Sequence, residues 1–141
     1  MQAIINGRIV LPNKVVDGCV LLFGENIEDI IPVNEIPVDE TIEIIDAMGN
    51  FVTPGFINVH IHGCAGFDTM DATEKTLDAM RRILPQTGVT SFLPTTMTCS
   101  FIDMNKVLEN IRVVMGKEDE GAKVLGCHLE GPFISEKYKG A

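Results

Sequence analysis

Two rhythms of apolar residues divide the sequence. Up to residue 53, short apolar runs alternate with turn residues: Ala3-Ile4-Ile5, residues 8–11, 18–23, 27–31 and 41–45. Runs of this length, rich in Ile and Val and bounded by Gly and Asn, predict strands. Asn6-Gly7 between the first two predicts a two-residue hairpin, since both central positions of that turn need positive φ. Gly24-Glu25-Asn26 marks another turn. Residues 1–53 therefore read as a small antiparallel β unit.

From residue 54 the rhythm becomes strand, helix, strand. Pro54-Gly55 leads into an apolar run at 56–62. A helix should follow, with Asp71 as N-cap and Glu74 three residues on, a capping-box pattern. Its inner face would carry Leu77, Met80 and Leu84, and Pro85 and Gly88 should end it. A second strand at 89–93 stops at Pro94. Ser100 then caps a helix whose Met104, Val107, Leu108, Ile111, Val114 and Met115 form a one-sided stripe at helical spacing, ending at Gly116. A third strand is expected at 124–130, before Gly131-Pro132. Strands beginning at 56, 89 and 124, joined by helices, are the makings of a parallel sheet, either an α/β barrel or an open doubly wound sheet.

Composition narrows the possible partners. The chain has 141 residues, 45% of them hydrophobic, enough to bury a core. Eleven basic residues against twenty acidic ones leave a net charge of −9, without a Lys/Arg cluster interleaved with aromatics. Nucleic acid is thereby excluded as a partner. The first residues hold no basic and apolar leader, and no apolar run approaches the ~18 residues of a membrane span. The expectation is a soluble, cytoplasmic protein with no membrane partner. Cys19, Cys64, Cys99 and Cys127 are scattered, without Cys-x-x-Cys pairs, and read as free thiols.

The candidate chemistry lies at the strand ends. In a strand, residues i and i+2 share a face, so His60 and His62 would turn two imidazoles toward one point. Such a pair is either half of a metal site or a polar strand face without an ion. Cys64 would join that face only if the strand ran on through Gly63, which is expected to end it. His60 and His62 close the first strand and Glu130 closes the third. Sites of (β/α)8 barrels lie at the C-terminal strand ends, which favours the barrel. No strand is followed by the glycine spacing of a dinucleotide or phosphate loop.

The run Pro54-Gly55-Phe56-Ile57-Asn58-Val59-His60-Ile61-His62-Gly63 resembles the first-strand signature of the amidohydrolase superfamily. His62-Gly63-Cys64-Ala65-Gly66, Thr87-Gly88-Val89-Thr90-Ser91-Phe92-Leu93-Pro94-Thr95 and Gly126-Cys127-His128-Leu129-Glu130-Gly131-Pro132-Phe133 narrow the resemblance to the N-acetylglucosamine-6-phosphate deacetylases. It covers the whole chain in order. It implies an α/β protein, an incomplete metal-dependent hydrolase (β/α)8 TIM barrel whose first three βα units occupy 54–141. Part of a small β-sandwich domain would precede it, at 1–53. The implied reaction is hydrolysis of the acetamide of N-acetylglucosamine 6-phosphate.

By this resemblance Glu130 is a ligand of a divalent metal, zinc or iron, and His60 and His62 match positions that hold a second ion in some members. His128 shares a face with Glu130 and could ligate by geometry. The family pattern places it instead behind the ligands or beside the substrate. Asp68 reads as a solvated loop acid that could at most orient a ligand. Ala141 corresponds to a backbone contact to the sugar. The catalytic aspartate and two further histidine ligands are expected beyond Ala141, so the chain reads as the N-terminal portion of a larger enzyme, inactive alone and part of a homo-oligomer. Two other readings stand beside this one: an amidohydrolase acting on a cyclic amide, and a non-catalytic fragment that binds metal or pairs with a subunit.

Overall fold

The computed structural model describes residues 1–37, 41–117 and 120–139. Two compact units compose the chain, residues 1–54 and 55–141. None of its helices is long and apolar enough to cross a membrane among the described residues.

The first unit holds β1 (Gln2–Ile5), β2 (Arg8–Leu11), β3 (Lys14–Val16), β4 (Cys19–Phe23), β5 (Ile27–Pro32), β6 (Glu43–Asp46) and β7 (Phe51–Val52). They form two sheets, ordered β5-β4-β1-β6 and β3-β2-β7. Both sheets are mixed, because β1 runs parallel to β6 and β2 parallel to β7. Ala3, Val20 and Leu22 are buried at the centre of a small cluster, with Ile5, Ile31, Ile36 and Ile42 against it.

Asn6-Gly7 does not make the expected hairpin. Only Asn6 takes positive φ, at 54°, and the chain crosses there from one sheet to the other. Residues 43–52 run alongside and bend at the same level: Gly49 N donates to Asn6 O at 2.7 Å and Arg8 N to Asn50 O at 2.9 Å. The Asn6 side chain donates to Asp46 Oδ1 at 3.1 Å. Long-range pairing with a parallel neighbour has overridden the local turn signal. The real hairpin joins β2 to β3, where Leu11 faces Lys14 across Pro12-Asn13.

The second unit opens with β8 (Phe56–Ile61), β9 (Gly63–Cys64) and β10 (Phe67–Asp68). After them come α1 (Glu74–Ile83), β11 (Val89–Pro94), α2 (Phe101–Met115) and β12 (Lys123–Val124). β12, β11 and β8 form a parallel sheet in that order, as the strand-helix-strand rhythm predicts. Leu77, Met80 and Leu84 pack with Phe92, Val107, Ile111, Val114 and Val124 into its core. Ser100 caps α2 by accepting from Asp103 N. Of the predicted stripe, Met115 is exposed and Leu108 half-buried, since at helical spacing both lie toward one edge of the stripe that Met104, Val107, Ile111 and Val114 bury.

Three local expectations change. The N-cap of α1 is Thr73, whose Oγ1 accepts from Thr76 N at 3.2 Å; Asp71 closes a one-turn 3-10 helix before it. Gly63 does not end the first strand. The chain bends at His62, and Gly63 starts a hairpin of its own that closes through Ala65 and Gly66, both at positive φ. The third strand is only two residues long, because Pro94 of β11 has no N–H for the ladder. Leu125 N reaches Phe92 O at 3.1 Å, and His128 N next reaches Pro94 O at 3.0 Å. Three steps on one chain match two on the other, and beyond Val124 the segment follows β11 as an extended run with a single bridge between Thr95 and His128.

Candidate metal centre

The sheet brings His60, His62 and Glu130 to one place. Among the described residues they form a group whose donor atoms all lie within 4.8 Å of one another. His60 Nε2 and His62 Nε2 are 3.2 Å apart, and Glu130 Oε2 is 3.3 Å from the first and 3.4 Å from the second. Ligands on a tetrahedral cation at bond lengths near 2.0–2.1 Å are separated by about 3.3–3.4 Å. The triangle therefore has the spacing of three tetrahedral ligands. Two imidazoles and one carboxylate also make a donor set suited to zinc or iron.

Two of the three donors are held from behind, His62 through its ring and Glu130 through its backbone. His62 Nδ1 lies 3.2 Å from the carbonyl of Thr95. A carbonyl only accepts, so that nitrogen carries the proton and Nε2 keeps its lone pair for a cation. Thr95 is fully buried at the end of β11. Its N–H donates to Ile61 O at 2.8 Å, and its Oγ1 accepts from Ile61 N at 2.9 Å and donates to Leu93 O at 3.2 Å. Thr96, also fully buried, clasps Glu130: its Oγ1 accepts from Glu130 N at 3.0 Å and donates to Glu130 O at 3.1 Å. The Glu130 side chain is 40% exposed and that of His60 48%, so the triangle opens toward solvent.

Other sequence candidates lie nearby in different roles. His128 donates from Nδ1 to Val59 O at 2.9 Å and meets the His60 ring edge-on, with centroids 4.5 Å apart. Asp68 accepts from Met70 N at 2.8 Å and so caps the 3-10 turn, where a solvated acid was expected. Cys64 and Cys127 are half-buried free thiols whose pKa values burial pushes up, which keeps them in the thiol form. Ala141 lies outside the described residues. Thr95 and Thr96 are the positions that sequence reasoning passed over. Two hydroxyl residues directly after a strand that ends in Pro94 were the available signal, since a missing ladder donor leaves neighbours in need of side-chain partners.

Thr95→Val keeps the volume and removes the oxygen that accepts from Ile61 N. It is expected to cost about 1–3 kcal/mol, the cost of a half-buried donor left unpaired. Urea denaturation followed by circular dichroism should show a lower midpoint, and an unchanged midpoint would contradict the role given to this hydroxyl.

No family model matches the sequence. The chain is 46% identical over 102 residues to an N-acetylglucosamine-6-phosphate deacetylase of Bacillus subtilis, covering 70% of this chain and 26% of that protein. It is 35% identical over 109 residues to an N-acetylgalactosamine-6-phosphate deacetylase of Escherichia coli O157:H7, covering 77% and 28%. Its fold matches the crystal structure of N-acetylglucosamine-6-phosphate deacetylase from Pasteurella multocida with a TM-score of 0.80 and 33% identity, covering 99% of this chain and 36% of that one. The chain thus spans about a quarter of the length of the curated relatives it matches. Over that span the chain is similar, in sequence and in fold, to the N-acetylglucosamine-6-phosphate deacetylases.

Proposed function

We propose that the chain carries part of the site of a metal-dependent deacetylase acting on N-acetylglucosamine 6-phosphate, releasing acetate and glucosamine 6-phosphate. The observation that carries the reading is the convergence of His60, His62 and Glu130 at tetrahedral ligand spacing, in a chain similar to such enzymes. Residues 54–141 would be the first three βα units of a (β/α)8 barrel, and residues 1–53 part of a small β-sandwich. The three side chains would hold one or two divalent ions, zinc or iron. When bound, such an ion supplies Lewis acidity, which polarises the acetamide carbonyl and acidifies a water. Glu130 contributes the negative charge of the donor set, and Thr95 and Thr96 hold the ligand-bearing segments still from within the core. In this proposal the proton for the departing amine comes from an aspartate that residues 1–141 do not supply.

Acetate release from N-acetylglucosamine 6-phosphate by a metal-loaded enzyme that unites these residues with the proposed aspartate, before and after chelation, tests the proposal, with N-acetylgalactosamine 6-phosphate as the competing substrate. Chelator-sensitive release that prefers the gluco epimer supports it. Release that survives chelation, or hydrolysis of a cyclic amide in its place, contradicts it. Metal uptake without acetate release favours the second reading, a chain that holds metal or pairs with another subunit. The observation on the side of that reading is the quarter of the relatives' length that the chain spans.

Self-association belongs to the same proposal. β8 is an edge of its sheet, and Phe56, Ile57 and Val59 on it are exposed. Parallel strands are ordinarily covered on both faces, and an open apolar edge invites pairing with a second copy. Sedimentation velocity of the chain at micromolar concentration is expected to show dimers or larger species. A single monomeric boundary would contradict the expectation.

A further inference from the structure

We propose that His128 is a positioning residue for the metal centre: by bonding the backbone at a bulge of β8, it fixes where His60 presents its Nε2. The inference rests on the metal reading above and extends it to a residue outside the donor triangle. The register of β8 against β11 slips just before His60, since Asn58 faces Phe92 but Ile61 faces Pro94. Three steps along β8 match two along β11, so Val59 and His60 occupy a bulge. A bulge breaks the ladder and re-aims the side chain it carries, and the aim is then only as firm as the bonds that replace the ladder.

Two such bonds are present. His60 N donates to Asn58 Oδ1 at 3.1 Å, which tightens the bulge from within the same strand. His128 Nδ1 donates to Val59 O at 2.9 Å from the far side of β11, and its ring stands edge-on to that of His60 at 74°. His128 is in turn anchored to β11: its N donates to Pro94 O at 3.0 Å and its O accepts from Thr96 N at 3.1 Å. The imidazole therefore ties the strand bearing His60 to the segment bearing Glu130, two residues along. Freeing Val59 would let the bulge rotate and carry His60 out of the triangle while His62, held by Thr95, stays in place.

The test uses the whole chain with two probes, Zn²⁺ affinity by competition with a chromophoric chelator and the visible spectrum of the Co²⁺-loaded protein. His128→Phe keeps the ring and removes the donor. His128→Asn places an amide donor close to the position of Nδ1. His128→Phe is expected to weaken Zn²⁺ binding about 10- to 100-fold, the range for residues that orient ligands. It should also change the Co²⁺ bands, which report coordination geometry, while the metal-free melting temperature stays near that of the wild type. His128→Asn should retain affinity within about threefold and keep the wild-type bands. Should His128→Phe fail to fold, His128→Leu replaces it under the same expectation. Unchanged affinity and spectrum in the donor-free variant, or equal losses in both variants, overturn the positioning role. Absence of Zn²⁺ uptake by the wild type instead overturns the metal reading, and the positioning role with it.

Discussion

Replacing Glu130 with Gln is expected to lower the affinity of the chain for Zn²⁺ by more than about a hundredfold, since even residues that merely orient ligands are worth up to that much. Glu130 is the one anionic member of the triangle, and an amide in its place offers a neutral, weaker oxygen donor. The substitution keeps the shape of the side chain, and the carboxylate is partly exposed, so the fold should be nearly unaffected. The backbone bonds between Glu130 and Thr96 do not involve the carboxylate at all. Titration of Zn²⁺ into both proteins against a chelator of known affinity measures the effect. An affinity within threefold of the wild type would remove Glu130 from the site.

Gly63→Ala is expected to destabilise the second unit by about 2–3 kcal/mol, the upper range for forcing an extra carbon into a filled space. A Cβ at Gly63 would lie 2.1 Å from Phe67 O and 2.9 Å from Asp68 Cα. Both atoms are backbone, so no rotamer change relieves the clash and the β9–β10 hairpin must open. The consequence reaches the metal centre, because the segment after that hairpin holds the His62 carbonyl through Thr69 N at 2.7 Å. Gly66→Ala is the matched control. Gly66 has φ +82° with nothing within 4 Å of an added Cβ, and there only the conformational cost of about 1–2 kcal/mol is expected. Urea denaturation of the pair should give a larger loss at Gly63, accompanied by weaker Zn²⁺ binding at that position alone. Equal losses would mean that the close approach of the two strands is not what requires glycine.

What could be read from the sequence was what local chemistry decides. The spacing of Met104, Val107, Ile111 and Val114 and the Ser100 cap define α2 without reference to the rest of the chain, and the structure buries those four residues. The alternation His60-x-His62 places two imidazoles together on any strand-like backbone, even though the chain bends at His62. What could not be read depends on partners distant in sequence. Asn6-Gly7 has the composition of a hairpin turn, yet residues 43–52 offer β1 and β2 parallel neighbours in two different sheets. The short third strand, beside Pro94, and the bulge in β8 are matters of register, visible only once β11 has neighbours on both sides. Thr95 and Thr96 matter because those irregularities leave backbone groups to satisfy, a role that Thr95's place in a family-like run does not by itself reveal.

X-ray absorption of the Zn²⁺-loaded chain tests most directly whether His60, His62 and Glu130 form one cation site. The expected spectrum has a shell of nitrogen and oxygen at about 2.0–2.1 Å with the outer-shell scattering of two imidazoles. A zinc–sulfur shell at about 2.3 Å, which would bring Cys64 or Cys127 into the site, or an oxygen-only shell without imidazole scattering, would contradict it.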